Sequence, residues 1–211
     1  MKVMLCGSTT TTLTGLASAL RDNAGVEVVA VTRTGRDALD VLNNGGIDVS
    51  LHSEDTIELS RFIRSGIRPE VEASLHRVVA ADTPVPHLYL RAHAFGFDGV
   101  VSSHGTPDAL VGELSAVQSG RSSLGDHPAV RSTGIPHGIL TRPFRAAPAI
   151  DPGMSGLIAV GLTDREISGA LGIGIQSVRN QVEELIHLNG VSNRTQLAVL
   201  LAIDITIPDF S

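Results

Sequence analysis

The chain has 211 residues, a formal net charge of −6 and 42% hydrophobic residues, enough apolar side chain for one or two ordinary domains without staples. A single cysteine, Cys6, excludes an internal disulfide and fits a reducing compartment. The acidic balance argues against a strongly basic nucleic-acid binder; no apolar run reaches membrane-spanning length, and MKVMLCGSTT lacks a cleavable signal pattern, so a cytoplasmic location is expected.

Residues 1–120 alternate strand-like and helix-like segments. MKVMLC, VEVVAVT, IDVSL, RVVAA and GVVSS are short apolar runs of the kind that form buried strands. Between them, apolar residues recur at helical spacing: Leu13, Leu16 and Leu20; Ala38, Leu39 and Leu42; Ile57, Phe62 and Ile63; Leu88, Ala92 and Phe95. A fifth helix is predicted over Thr106–Ser119, with Thr106 as cap, Pro107 in the first helical position, Asp108 favouring the dipole, and Leu110, Leu114 and Val117 facing inward. Five βα units imply an α/β, flavodoxin-like doubly wound (βα)5 domain with a parallel sheet covered on both faces.

Residues 121–150 are dense in Gly, Pro and Ser, hold no period, and read as a linker. This is the basic part of the chain, with Arg121, Arg131, Arg142 and Arg145 against Asp126 alone.

Residues 151–211 read as a small all-α domain. Met154–Val160 is a short first helix. Thr163 caps the next, and Glu166 three residues on completes a capping box. Ile167, Ala170 and Leu171 form its apolar side, Gly172-Ile173-Gly174 is a turn, Ile175–Leu188 is the third helix and the recognition-helix candidate, and Arg194–Ile203 closes the domain before a strand-like ITIPDF. In Ile175–Leu188, Val178, Val182 and Leu185 are spaced to bury one face, while Gln176, Arg179, Asn180 and Glu183 share the opposite one. Such a polar set suits base edges: Arg to guanine, Gln or Asn to adenine, Glu to the cytosine amine.

The run GLTDREISGALGIGIQSVRNQVEELIHLNGVSNRTQL, Gly161–Leu197, resembles the helix-turn-helix of the LuxR/NarL (FixJ) regulators. Gly161, Leu162, Glu166, Ile167, Leu171, Gly172, Ile173, Val178, Asn180, Val182, Gly190, Val191, Asn193, Arg194 and Thr195 stand where that family's pattern has them. The resemblance implies a recognition helix in the major groove of double-stranded promoter DNA. The implied contacts are Thr163, Gln176, Ser177, Arg179, Asn180, Glu183 and Arg194. It also implies a homodimer joined through the last helix, at Leu197, Val199, Leu200 and Leu201; packing within the domain is the alternative role for that helix. Departures are Glu183 where some relatives carry a basic residue, Leu188 for a common Lys, Asn189 at a usually apolar site, Gly174 for a capping Ser, and a degraded first helix, AIDPGMSG. Residues 151–211 are also acidic: Arg165, Arg179 and Arg194 stand against Asp151, Asp164, Glu166, Glu183, Glu184, Asp204 and Asp209, a net of −4. Fewer phosphate contacts imply weaker binding with a shallower salt dependence.

The first 120 residues resemble a response-regulator receiver, most clearly over RAHAFGFDGVVSSHGTPDALVGEL, Arg91–Leu114. Alignment on that stretch puts the family's acidic pair on Gly7 and Ser8, its phosphoacceptor aspartate on Ser53, its switch hydroxyl on Ala81 and its lysine on Ser103. Aspartyl phosphorylation needs a carboxylate nucleophile, acidic oxygens for Mg²⁺ and a cation for the phosphoryl group. None stands at these positions. Glu54 and Asp55 lie next door, but strand alternation aims a neighbouring residue elsewhere. An atypical, phosphorylation-independent receiver is therefore expected. The positions Gly7, Ser8, Thr9, Ser53, Ala81 and Ser103, with hydroxyls at Ser8, Thr9, Ser53 and Ser103, lie at the carboxyl edge of the sheet. They are read either as a small-ligand site or as a degenerate pocket whose hydroxyls bond one another.

No enzyme is expected. Cys6 before a Ser/Thr loop lacks the arginine of a phosphatase loop, since Thr12 holds that position, and GSTTTTLTG has no lysine for a phosphate-binding loop. The histidines, among them His52, His76, His87, His93 and His104, lack metal-ligand spacing and read as surface or strand-end residues. Ser53 and His52 face opposite ways, and Cys6 reads as a small buried hydrophobe. No cofactor and no metal site are expected. Two functions fit: a DNA-binding transcriptional regulator controlled by a ligand, a partner or its abundance, or an interaction module that pairs with another regulator without gripping DNA.

Overall fold

The computed structural model describes residues 1–121, 124–135, 139, 144–146, 150 and 152–205. The chain divides into two compact units, Met1–Val130 and Arg131–Ser211.

In the first unit, β1 (Lys2–Cys6), β2 (Glu27–Thr32), β3 (Val49–Ser53), β4 (His76–Ala81) and β5 (Gly99–Ser102) form one parallel sheet in the order β2-β1-β3-β4-β5. The helices α1 (Thr10–Arg21), α2 (Gly35–Asn43), α3 (Leu59–Gly66), α4 (Pro86–Ala94) and α5 (Pro107–Gln118) follow the strands in turn, with a short extra turn at Pro69–Glu72. Successive strand residues point to opposite faces, and the core follows that rule. Val3, Leu5, Val49, Leu51, Val78 and Ala80 pack with Leu13, Leu16, Leu20, Leu110, Leu114 and Val117 of α1 and α5. Met4 and Cys6 face the other way, onto Ala38, Leu42 and Ile63 of α2 and α3. The interior strand β3 is buried along its whole length, whereas the edge strand β2 leaves Val29 and Val31 exposed. Thr106 accepts from the Ala109 amide at 3.3 Å, and Pro107 and Asp108 open α5 as its sequence requires.

Two expectations for this unit are corrected. Phe62 is half exposed rather than part of the inner stripe. Ser60, Ile63 and Ile67 take that stripe, and the Phe62 ring lies against Gly35, where an added Cβ would stand 2.8 Å from it. His52 and His93 are buried, not surface residues. His52 sits mid-sheet, its Nε2 3.3 Å from Ser50 Oγ and its ring edge-on to Phe97.

The second unit contains α6 (Pro152–Ala159), α7 (Asp164–Leu171), α8 (Ile175–Asn189) and α9 (Arg194–Ile205). Despite the irregular AIDPGMSG, α6 forms and buries Met154 and Ile158. These join Ile167, Val178, Val182, Leu185, Val191, Leu197, Leu200 and Leu201 among the buried apolar residues. Ala170, expected on the apolar side of α7, is exposed. The strand-like ITIPDF lies outside the described residues from position 206 onward; Ile205 ends α9.

Described residues from the segment read as a linker are anchored within the units. Leu124 is buried and its amide donates to the Asp98 carbonyl at 3.1 Å, while Tyr89 stacks on His127 with ring centroids 3.6 Å apart. In the second unit, Gln196 Nε2 donates to the Thr133 carbonyl at 3.1 Å. No helix among the described residues is long and apolar enough to cross a membrane.

Candidate nucleic-acid interface

The helix pair α7–α8 is built by local chemistry. Thr163 and Glu166 form the full capping box: the Thr163 hydroxyl accepts from the Glu166 amide, and Glu166 Oε2 accepts from the Thr163 amide at 2.7 Å. That backbone bond, then the bond from the Thr163 hydroxyl, holds the Glu166 carboxyl below its ordinary value. Gly172 ends α7 at φ 67°, a left-handed turn that glycine adopts without strain. The Ser168 hydroxyl donates to the Ile173 carbonyl at 2.6 Å and closes the turn.

Along α8, Val178, Val182 and Leu185 are buried, which fixes the helix's rotation. Gln176, Ser177, Arg179, Asn180 and Glu183 are consequently exposed on the other side. Gln176 Nε2 donates to Asn180 Oδ1 at 3.0 Å, so these two side chains form an ordered pair on that surface. Arg179 is 55% exposed, with Nε 3.5 Å from Asp164 Oδ2.

Two of the expected contact residues are engaged inside the unit. The Thr163 hydroxyl belongs to the capping box. Arg194 donates from Nη1 to Asp164 Oδ1 at 2.6 Å and from Nη2 to the Leu162 carbonyl at 2.5 Å, bracing the start of α9 against the start of α7. Asp164 therefore meets Arg194 with one oxygen and Arg179 with the other. Nothing in the spacing marks it, because an acidic residue after an N-cap reads as a dipole partner.

Of the expected dimerisation residues, Leu197, Leu200 and Leu201 are buried within the single chain and Val199 is half buried. Within the unit α9 packs against α6.

At the carboxyl edge of the sheet, Gly7, Ser8 and Ser53 converge, and Asp55 joins them. β3 ends at Ser53 and the chain enters a tight turn at Glu54–Thr56, so strand alternation no longer decides where Asp55 points. This corrects the expectation that it is aimed elsewhere: its carboxylate accepts from the hydroxyls of both Ser8 and Ser53. Burial works to raise the Asp55 carboxyl, but the Ser53 and Ser8 hydrogen bonds with backbone bonds pull it below its ordinary value. A Cβ at Gly7 would stand 2.6 Å from Ser53 Oγ and 2.9 Å from Leu13 Cδ2, so a side chain there would have to displace both. Ser103 donates to Asp82 Oδ1 at 2.5 Å, Thr9 to Thr12 at 2.9 Å, and Ala81 is buried. A hollow of about 200 Å³ lies beside Ser103, lined by Thr11, Thr12, Gly15, Leu16, Ala19, Asp82 and His104; neither Ser8 nor Ser53 lines it. Burial pushes the Cys6 thiol up, as suits an inert packing residue.

A five-stranded parallel βα unit followed by a helix-turn-helix unit is the fold of a response regulator. Along almost its whole length the chain is similar to solved structures of the response regulator RcsB. One, an RcsB–DNA complex, is 21% identical, covers 96% of this chain and 98% of that chain, and has a TM-score of 0.55. Another holds two RcsB dimers bound to two parallel DNAs, with 21% identity, 96% and 98% coverage and a TM-score of 0.54. A third is RcsB from Salmonella enterica serovar Typhimurium bound to promoter rprA in the presence of phosphomimetic BeF3−, with 20% identity, 97% and 99% coverage and a TM-score of 0.54. At this identity the likeness establishes the fold. No family model and no curated protein matches the sequence.

Proposed function

We propose that the chain is a DNA-binding transcriptional regulator of the NarL/FixJ type whose receiver-like domain works without aspartyl phosphorylation. The observation that carries this reading is α8: its apolar side is clamped in a helix-turn-helix while Gln176, Ser177, Arg179, Asn180 and Glu183 face outward. The RcsB structures of the same fold are bound to DNA, which supports a recognition role for this helix. The receiver-like domain corresponds to about residues 1–120 and the DNA-binding domain to about 151–211. Copies pair as a homodimer along the Val199 side of α9, which doubles the contacts available to an acidic domain. The protein acts in the cytoplasm on promoter DNA.

Independence from phosphorylation rests on chemistry. Asp55, just after β3, already accepts from two hydroxyls, Gly7 brings no carboxylate, and Ser103 supplies no cation. Control then falls to a ligand, a partner or protein abundance. Genome-wide mapping of bound sites in the native host tests the function: discrete promoter sites containing a two-fold-related motif are expected, and a folded chain that enriches none rules it out.

A second reading has its own support. The net −4 of residues 151–211 and the engagement of Arg194 by Asp164 leave little positive charge for phosphates. On this reading the chain is an interaction module that modulates another regulator by dimerisation. Gel shifts with promoter fragments at low salt separate the two, since the module retards none.

A further inference from the structure

We propose that Asp164 is a positioning residue that turns Arg179 into a guanine reader. The inference rests on the DNA-binding function proposed above. Four groups form a chain of contacts: the Leu162 carbonyl, the Arg194 guanidinium, the Asp164 carboxylate and the Arg179 guanidinium. Arg194 is held at both η nitrogens, by Leu162 and by Asp164. Asp164 is thereby fixed at the first turn of α7, and its second oxygen faces Arg179 Nε at 3.5 Å.

The point of attachment matters. A guanidinium anchored through Nε keeps its two η nitrogens together at the far end, and that fork matches guanine O6 and N7. Arg179 is 55% exposed against 28% for Asp164, and contact through Nε leaves the two η nitrogens for a partner on that open surface. Without the carboxylate, a long arginine on an open helix face samples many rotamers and meets phosphates as readily as bases. With it, the rotamer entropy is lost before binding and the charge offered to phosphates is reduced. Asp164 therefore exchanges non-specific affinity for base discrimination, and the acidic start of α7 has a role in specificity.

The test uses the full-length protein and a duplex pool with a randomised central segment. The wild-type chain is expected to enrich sites with guanine at one position of each half-site. Asp164→Asn keeps an oxygen for Arg194 and is expected to fold, as its thermal midpoint will check. It should relax the guanine preference roughly tenfold and steepen the dependence of log K on log[salt] by about one, with both effects absent in an Arg179→Ala background. A uniform affinity loss with an unchanged salt slope means that Asp164 is merely structural, and overturns the proposal. Arg179→Met leaves the Arg194–Asp164 bond intact and has no donor for guanine O6 or N7, so it should lose the guanine preference; retention also overturns the proposal. If wild type and variants alike retard no duplex at low salt, the DNA-binding function falls and takes this inference with it. If wild type binds and the variants keep its preference and slope, only the inference falls.

Discussion

Asn189 and Arg145 are joined by two hydrogen bonds: the Arg145 amide donates to Asn189 Oδ1 at 2.8 Å, and Asn189 Nδ2 donates to the Arg145 carbonyl at 3.1 Å. The same Nδ2 also reaches the Leu185 carbonyl at 2.9 Å. A polar side chain at the last position of α8 thus fastens a preceding stretch of chain onto the helix end. Asn189→Leu restores the apolar residue usual in the resembled family and leaves the Arg145 backbone groups without these partners. It should cost about 1–2 kcal/mol of stability, read by chemical denaturation of the full chain.

Arg179 and Arg194 should separate cleanly under mutation. Arg179→Ala is expected to weaken specific DNA binding by about 1–3 kcal/mol with little change in stability. Arg194→Ala removes the brace to Leu162 and Asp164. With a third of that side chain exposed, a stability loss of about 1–2 kcal/mol is expected. Fluorescence anisotropy on a bound duplex and thermal melting, run on both variants, check the split.

Acid should weaken the first unit through His52. Burial, and then the positive charge of Arg77, push its pKa from 6.5 down to about 3, and Nδ1 is buried without a hydrogen-bond partner. The unfolded chain therefore binds a proton that the folded chain refuses. The stability tied to the neutral ring is full above 6.5 and drains away as pH falls from there toward about 3. Equilibrium unfolding of wild type and His52→Leu across this range should show a shallower acid limb in the variant.

The pocket at the sheet edge should resist both chemistry and crowding. Incubation with acetyl phosphate and Mg²⁺ is expected to leave the intact mass unchanged; a stoichiometric phosphate adduct would refute independence from phosphorylation. Gly7→Ala forces Ser53 Oγ and Leu13 Cδ2 to move from 2.6 and 2.9 Å. It should cost about 1–3 kcal/mol as overpacking, measured as a lowered unfolding midpoint.

Strands and major helices were legible because a doubly covered parallel sheet demands unbroken apolar runs, and an amphipathic helix demands a stripe. Thr106, Thr163 and Glu166 announced helix starts through short-range hydrogen bonds that need no tertiary knowledge. The rotation of α8 followed from Val178, Val182 and Leu185. What escaped depended on contacts distant in sequence. Ser60 takes an inward position that looks apolar only once its hydroxyl reaches the Phe95 carbonyl at 3.1 Å. His52 looks like a strand-end residue until Phe97 and Ser50 close around it. Asp55 escapes strand alternation because β3 ends at Ser53 and a tight turn follows, and Asp164 carries no mark in the spacing because its partners Arg179 and Arg194 lie on two other helices.

The order β2-β1-β3-β4-β5 has a kinetic consequence. Interior β1 joins β2 and β3 through pairs such as Val3 with Val28 and Val3 with Val49, and central β3 must then wait for β4, as Val49 meets His76. Every rung closes a long loop before it gains any hydrogen bonds, whereas α7 and α8 meet across one short turn. Non-local pairing is slow and local pairing fast. A nascent chain would therefore carry an unfinished sheet until β5 leaves the ribosome, and the helix-turn-helix, though synthesised last, would acquire its structure in a far briefer interval.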